Sequence, residues 1–321
     1  MEFRKIGKTD IKVSEIGLGC WTLGGDADSG GMGWHAPEEK DATEAIKYAL
    51  DKGVNHFDNA DVYGMGKAEK TLAGALGSKN KDVIISSKVG WFKDGYENAY
   101  KAENIEKQCE ASLKNLKRDY LDIYYFHNCD FGEGDIYLEE GLSTMRKLKK
   151  QGKIRTIGLS GYSAEDFLRL LPVIEPDVLQ SWANMMDSQF IDPDKPVAKL
   201  LKEKGITFIG FNVLGRGLLL DKFSPDNPPR FDSGDIRSTM DEFKPRNLRQ
   251  IKQKLNIIKD KTGNSIKGLA RAALQYVLYH ECVSCVLTGF RNKEQVGANI
   301  SASGKPLSRE EYMFIKEVFG T

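Results

Sequence analysis

The chain is expected to fold as an α/β protein, a single (β/α)8 TIM barrel, and two observations predict it. Eight short β-rich apolar runs recur along 321 residues, and stretches with apolar spacing near 3.6 separate them. Strands that alternate with helices build a parallel sheet, and eight such units close it into a barrel. The runs are "EIGLGC" (15–20), "NHFDNA" (55–60), "VIISSKVG" (83–90) and "YLDIYYFH" (120–127), followed by "IRTIGLSG" (154–161), "VLQSW" (178–182), "ITFIGFNV" (206–213) and "CVSCVLTG" (282–289). Between them, "IEKQCEASLKNL" sets Ile105, Cys109, Leu113 and Leu116 on one helical face, and "LSTMRKLKKQGK" closes on a glycine that suits a helix C-cap. "FRKIGKTDIKVS" (3–14) forms a hairpin ahead of the first barrel strand. Residues 214–246 after the seventh strand, rich in Pro, Gly and charge, form a long loop of the kind that usually carries function. No linker divides the chain, so residues 1–321 form one domain.

Composition narrows the function classes. A formal net charge of +1 and a pI near 7.6 give no electrostatic case for nucleic acid or anionic lipid. The polar start "MEFRKIGKTD" lacks a signal-peptide pattern, and no apolar run approaches the roughly 20 residues of a membrane helix. A cytoplasmic protein is expected. Five cysteines without framework spacing suit a reducing compartment, and the "CVSC" pair Cys282 and Cys285 is taken as ordinary buried thiols rather than a redox or zinc site. Four scattered histidines argue against a metal centre.

In a barrel of this type, chemistry sits at the C-terminal ends of the strands. The second strand ends at Asp58 with Tyr63 in the loop beyond, the third at Lys88 and the fourth at His127. A phenol is a weak acid at neutral pH unless a cation assists it. Lys88 is that cation, Asp58 its counter-ion and Tyr63 the proton donor, while His127 directs a carbonyl oxygen toward the tyrosine. Hydride must come from a cofactor, because no side chain delivers it. His56 is expected to turn to the opposite face of the strand as a structural residue, and Asp61 and Lys67 to be loop and helix-start residues.

The chain resembles the aldo-keto reductase family over nearly its whole length. The resemblance rests on "GVNHFDNADVYGMGKAE", "IISSKVG", "SLKNLKRDYLDIYYFH", "GKIRTIGLSGYS", "VLQSWANMMDSQ", "GITFIGFNVLGRGLL" and "VLTGFRNKEQVGANI". It implies a catalytic tetrad of Asp58, Tyr63, Lys88 and His127, and NADPH-dependent reduction of an aldehyde or ketone, or the reverse oxidation. NADH is the lesser expectation. Ser160 and Gln180 would hold the nicotinamide carboxamide, with Gly161 where the family usually has Asn. Phe211 would stack on the nicotinamide, and the backbone from Leu214 through Gly215, Arg216 and Gly217 to Leu218 would face the pyrophosphate. Asn212 and Val213 stand where Ser and Pro are frequent. Trp21, Asp58 and Gly289 complete the cofactor contacts. Gln295 and Asn299 would hold adenine, and Arg291 and Lys293 the 2′-phosphate, with Ala298 where an acidic residue is common. Trp21, Trp91, His127 and Phe131 are expected to line the substrate pocket. The alternative is a redox-sensing regulatory subunit that binds NADP(H) on the same fold. A Schiff-base enzyme is disfavoured, since it needs Lys88 free of Asp58.

Overall fold

The computed structural model describes residues 1–25, 33–232 and 234–321. The N-terminal hairpin pairs β1 (Phe3–Lys5) with β2 (Lys12–Ser14), as the sequence predicts. Eight parallel strands then close into a barrel: β3 (Ile16–Gly19), β4 (His56–Asp58), β5 (Ile84–Val89), β6 (Leu121–Phe126), β7 (Ile154–Ser160), β8 (Val178–Trp182), β9 (Thr207–Phe211) and β10 (Val283–Gly289). Closure runs through β10 and β3, where Val286 to Gly289 pair with Ile16 to Gly19.

Period-two alternation sorts every strand residue between the barrel lumen and the helix layer. On β6, Ile123 and Tyr125 face the lumen while Tyr124 and Phe126 pack outward into the main core. Ile6, Ile11 and Val13 of the hairpin join that luminal cluster and plug the N-terminal end. The same parity puts Asp58, Ser86, Lys88, Tyr125 and Gln180 in the lumen. It also puts His56 there, because residues i and i+2 of a strand share a face. The expectation that His56 turns away from Asp58 is therefore corrected; it lies one layer deeper in the same lumen. Gly158 makes room for one luminal ring, since a Cβ there would stand 2.2 Å from Tyr125 Cδ1.

Helices α1 (Glu39–Asp51), α2 (Lys67–Leu76), α3 (Ala102–Leu116), α4 (Leu138–Lys150), α5 (Ala164–Ile174) and α6 (Pro196–Lys204) follow the barrel strands in turn. The face expected for α3 is the one it buries, with Ile105, Cys109, Leu113 and Leu116. Gly152 takes φ +76° just past α4, the left-handed stop the sequence signals. Beyond β9 come α7 (Pro245–Thr262) and α8 (Ile266–Leu278), and beyond β10 come α9 (Lys293–Ile300) and α10 (Arg309–Phe319). The helix of α7 begins inside the segment expected as loop, with Pro245 at its first turn, where a missing N–H costs nothing. The thiols of "CVSC" lie in different environments: Cys285 is in the luminal cluster and Cys282 against the main core. Both are free, and burial pushes the Cys282 thiol up to about 12, which leaves it inert.

The long segment after β9 is a strap with its own small core. Leu218, Phe243 and Leu248 are buried together, with Phe223, Phe231 and Met240 packed on them. It reaches the loop between β3 and α1 through a bridge between Gly33 and Asp235. The Arg237 guanidinium lies 4.5 Å from the Trp34 ring and 4.2 Å from Phe231, and forms an ion pair with Asp235. Arg291 adds a hydrogen bond of 2.6 Å from Nη1 to the His35 carbonyl. The strap and residues 33–35 thus meet through a backbone bridge, the His35–Asp232 pair and one stacked arginine. Replacing it, Arg237→Ala, should cost the strap about 1–2 kcal/mol of local stability and raise local opening roughly 5–30-fold. Limited proteolysis between residues 221 and 231 should accelerate accordingly, while the melting temperature of the barrel stays nearly constant.

Candidate active site

The site begins with a buried ion pair. Lys88, at the end of β5, and Asp58, at the end of β4, are side chains only 1% and 4% exposed, with Nζ 2.6 Å from Oδ2. Two charges so far from water are costly unless every remaining hydrogen-bonding group finds a partner. Here each ammonium proton has one. Lys88 Nζ donates to Asp58 Oδ2, to the Asn59 carbonyl at 2.6 Å and to the Tyr63 hydroxyl at 3.3 Å. Asp58 Oδ1 accepts from Ser86 Oγ at 2.7 Å and Gln180 Nε2 at 2.8 Å. The tetrad reached from strand ends is thereby assembled around one lysine.

Tyr63 sits in the turn after β4, its ring stacked with that of Trp21 at 6.3 Å and edge-on to that of His127 at 6.0 Å. Burial, then the charge of Asp58, holds its phenol well above the ordinary value near 10. Lys88 donates to this hydroxyl, while desolvation sets the direction of its shift. Tyr63 is consequently a phenol that keeps its proton until a strong base is formed beside it. Burial, with Lys88 second, also holds His127 well below 6.5, so its imidazole is neutral at pH 7. Its buried Nδ1 has no partner among the described residues. A neutral imidazole at this place can donate one N–H to an oxygen without adding charge.

The mouth is aromatic. Trp91 is 45% exposed and lies 6.0 Å from the His127 ring, as expected of a pocket wall. Phe131 does not reach the mouth. It is 1% exposed and stacks on Tyr100 at 4.4 Å behind the wall, because the chain after His127 folds back against the helix layer. Three rings that the sequence reading passed over stand closer. Trp34 packs edge-on to Trp21 at 5.8 Å, and Tyr162 stacks on Trp182 at 5.6 Å and meets Phe211 edge-on at 6.1 Å. A lone Trp in the "GGMGWHAP" loop was the available signal for the first.

The remaining residues test whether a dinucleotide would fit. Phe211 is half-buried at the end of β9, and the next residue, Asn212, keeps a buried Oδ1 without a partner among the described residues. Ser160 is buried at the end of β7. Gly161 has a steric reason to depart from Asn: a Cβ there would meet Cys129 Sγ at 2.7 Å and Phe167 Cε1 at 2.8 Å. In the turn from Leu214 to Leu218, the Gly215 and Gly217 amides already donate to the Asn212 and Leu214 carbonyls, which corrects the expectation that this whole stretch faces a pyrophosphate. Arg216 is half-buried, 3.8 Å from Glu242. Gly289 is exposed at the end of β10, Asn292 caps α9, and Asn299 is buried on it. The Arg291 backbone N–H donates to Gln295 Oε1, which ties adenine-side residues to the strand end. Lys293 is exposed, with no ion pair among the described residues. Aromatic ring, orphaned amide oxygen, helix N-terminus and cations lie on one side of the mouth, and they fit the group.

A family comparison decides the class: residues 15–319 match the Aldo/keto reductase family. The chain belongs to this family of oxidoreductases. Among its relatives, the L-galactose dehydrogenase of Arabidopsis thaliana is 31% identical over 94% of this chain and 88% of its own. The aldo-keto reductase YhdN of Bacillus subtilis is 30% identical, covering 99% and 93%. The glycerol dehydrogenase of Gluconobacter oxydans superposes with a TM-score of 0.82 at 25% identity, covering 99% and 95%. Other relatives bear names that point elsewhere: an NADH-specific methylglyoxal reductase of Escherichia coli (26%) and a probable voltage-gated potassium channel subunit beta of Arabidopsis thaliana (27%). Among the described residues, no helix is long and apolar enough to cross a membrane, and no cluster of His, Cys, Asp and Glu could hold a metal.

Asp61 is a loop residue, as expected, in the turn between β4 and α2, and it is buried. Its Oδ1 accepts from the Val62 amide at 2.7 Å, and its Oδ2 has no partner among the described residues. Burial, with Glu69 second, raises this carboxyl to about 8. A raised folded-state value means that the folded protein binds the proton more tightly between about pH 4 and pH 8, so this group subtracts stability as pH rises through that window. Asp61→Asn, which imitates the neutral acid, should therefore leave the melting temperature unchanged near pH 4. By pH 8 it should raise it by about 2–4 °C for each kcal/mol relieved. Thermal melts of both proteins across pH 4–8 test the sign.

Proposed function

We propose that the protein reduces an aldehyde or ketone to an alcohol with NADPH, or runs the reverse oxidation, in the cytoplasm. The observation that carries this reading is the triply pinned Lys88, whose third proton reaches the Tyr63 hydroxyl 3.3 Å away. A bound nicotinamide would supply hydride to the carbonyl carbon. Tyr63 then gives its phenolic proton to the alkoxide oxygen formed there, and Lys88 stabilises the tyrosinate left behind. His127 donates a hydrogen bond to the same oxygen and fixes its direction. A phenol held in its acid form suits reduction at neutral pH. Trp21 and Trp91 bound the substrate, and no cluster of arginines asks for an anionic one. Ser160, Phe211 and Asn212 would take the nicotinamide end and Asn299 the adenine end. A regulatory NADP(H)-binding subunit is the second reading, favoured by the channel-subunit relatives.

Tyr63→Phe removes only the donated proton. Carbonyl-dependent absorbance change at 340 nm should fall about a hundredfold or more, with NADPH binding near normal. Lys88→Met should be comparably damaging. Retention of activity within about threefold in Tyr63→Phe would overturn the assignment.

Cofactor choice rests on the turn "GFRNKEQ", where two cations meet one acid, Glu294. NADPH differs from NADH by the 2′-phosphate, so discrimination needs groups that meet its charge. Arg291 spends Nη1 on the His35 carbonyl, and its remaining N–H groups and exposed Lys293 would take the phosphate. A charge-assisted contact contributes about 1.5–3 kcal/mol, so Arg291→Ala should weaken NADPH roughly ten- to a hundredfold and NADH hardly at all. Titration of both cofactors into both proteins checks this; equal wild-type affinities, or equal losses, would show that this turn does not read the phosphate.

A further inference from the structure

The family motif accounts for Asp58 and Lys88 but not for what holds Asp58 from below. In the register of the barrel, Ser86 on β5 stands directly across from Asp58 on β4. Its hydroxyl, fully buried, donates to Asp58 Oδ1 at 2.7 Å, and Gln180 Nε2 donates to the same oxygen at 2.8 Å. Oδ2 is thereby left to Lys88 alone. Behind Ser86, His56 Nε2 lies 3.4 Å from Oγ, and His56 Nδ1 lies 3.5 Å from Cys285 Sγ.

The contacts of Ser86 admit one proton arrangement. Ser86 has a single hydroxyl proton, and an ionised carboxylate accepts only, so that proton goes to Asp58. The Ser86 oxygen must then accept from His56, which places the imidazole proton on Nε2. His56 Nδ1 is left as an acceptor facing Cys285, whose Sγ also lies 3.6 Å from the Val286 carbonyl. The chain runs one way, from His56 through Ser86 to Asp58, with every link neutral until the carboxylate. Burial pushes His56 down to about 4, consistent with the neutral ring that this arrangement needs.

We propose that Ser86, oriented by His56, is a positioning residue for catalysis: it fixes the Asp58 carboxylate so that Lys88 holds its proton toward Tyr63. Without Ser86, Oδ1 keeps only the donor at the tip of the longer Gln180 side chain, a looser hold that lets the carboxylate shift and carry Lys88 with it. Gln180, expected to bind the carboxamide, is the second grip in this structure. The titratable groups that feel the charge of Asp58 are Cys20, His56, Tyr63, Tyr125 and Cys285, and Lys88 is its ion-pair partner. None of the five besides Lys88 offers it a cation, since burial keeps the His56 imidazole neutral.

The inference rests on the carbonyl-reductase reading, so Tyr63→Phe is carried beside it as the control. Ser86→Ala and Ser86→Thr are made in the full chain, and folding is verified by circular dichroism. Small displacements of catalytic groups cost about a hundredfold. Ser86→Ala should therefore lower kcat about ten- to a hundredfold, with KM and NADPH affinity changed less than about threefold. Removing a donor from a carboxylate favours its protonated form, so the acid-side fall of kcat/KM should move to higher pH in Ser86→Ala. Ser86→Thr, which keeps the hydroxyl, should restore most of the activity and the wild-type pH profile. A Ser86→Ala enzyme with kcat within about twofold of wild type and an unmoved acid limb, beside an inactive Tyr63→Phe, overturns the inference alone. An active Tyr63→Phe overturns the reading on which it stands.

Discussion

A lysine and an aspartate taken out of water together set the terms for the rest of this molecule. The ion pair of Lys88 and Asp58 lies at the upper end of the barrel lumen, where a lone charge would be untenable. Its survival requires that the lumen supply donors to Asp58 and acceptors to Lys88, and no others. Ser86 and Gln180 supply the first, the Asn59 carbonyl and Tyr63 hydroxyl the second. The alignment of ammonium and phenol is a by-product of this satisfaction. The ammonium points at the phenol because its other two protons are already committed.

The same desolvation shapes the acid chemistry around it. It keeps Tyr63 a phenol, His127 a neutral imidazole and Asp61 a neutral acid at lower pH, so Lys88 and Asp58 are the charges that the tetrad retains. A site of neutral donors around one balanced pair is suited to stabilise negative charge that appears only during reaction. Below it the lumen is closed by Ile6, Ile11 and Val13 of the hairpin.

Departures from the family pattern also have local causes. Gly161 is required by Cys129 and Phe167, which fill the space a side chain would need. Asn212 takes φ +55°, a conformation Asn tolerates better than most residues, and leaves an amide oxygen free at the mouth. The strap sets Arg237 on Trp34, and Trp34 packs on Trp21 beside Tyr63.

The sequence alone determined the fold and the tetrad, because both rest on local periodicity. Strands of alternating faces and helices of period 3.6 specify the barrel, and the last polar residue of each strand must surface at its mouth. Asp58, Lys88 and His127 were legible for that reason, and Tyr63 through the turn that follows Asp58. His56 was misread as facing away, although alternation puts it on the face of Asp58. Tertiary structure decided what depends on register across strands and on how loops turn. Nothing in the local pattern says that Ser86 stands opposite Asp58, that Gln180 bends to it, or that Phe131 folds behind the wall while Trp34 comes forward. These follow from closing eight strands at one stagger and from the packing of rings that meet only after closure, constraints that no single segment of the chain contains.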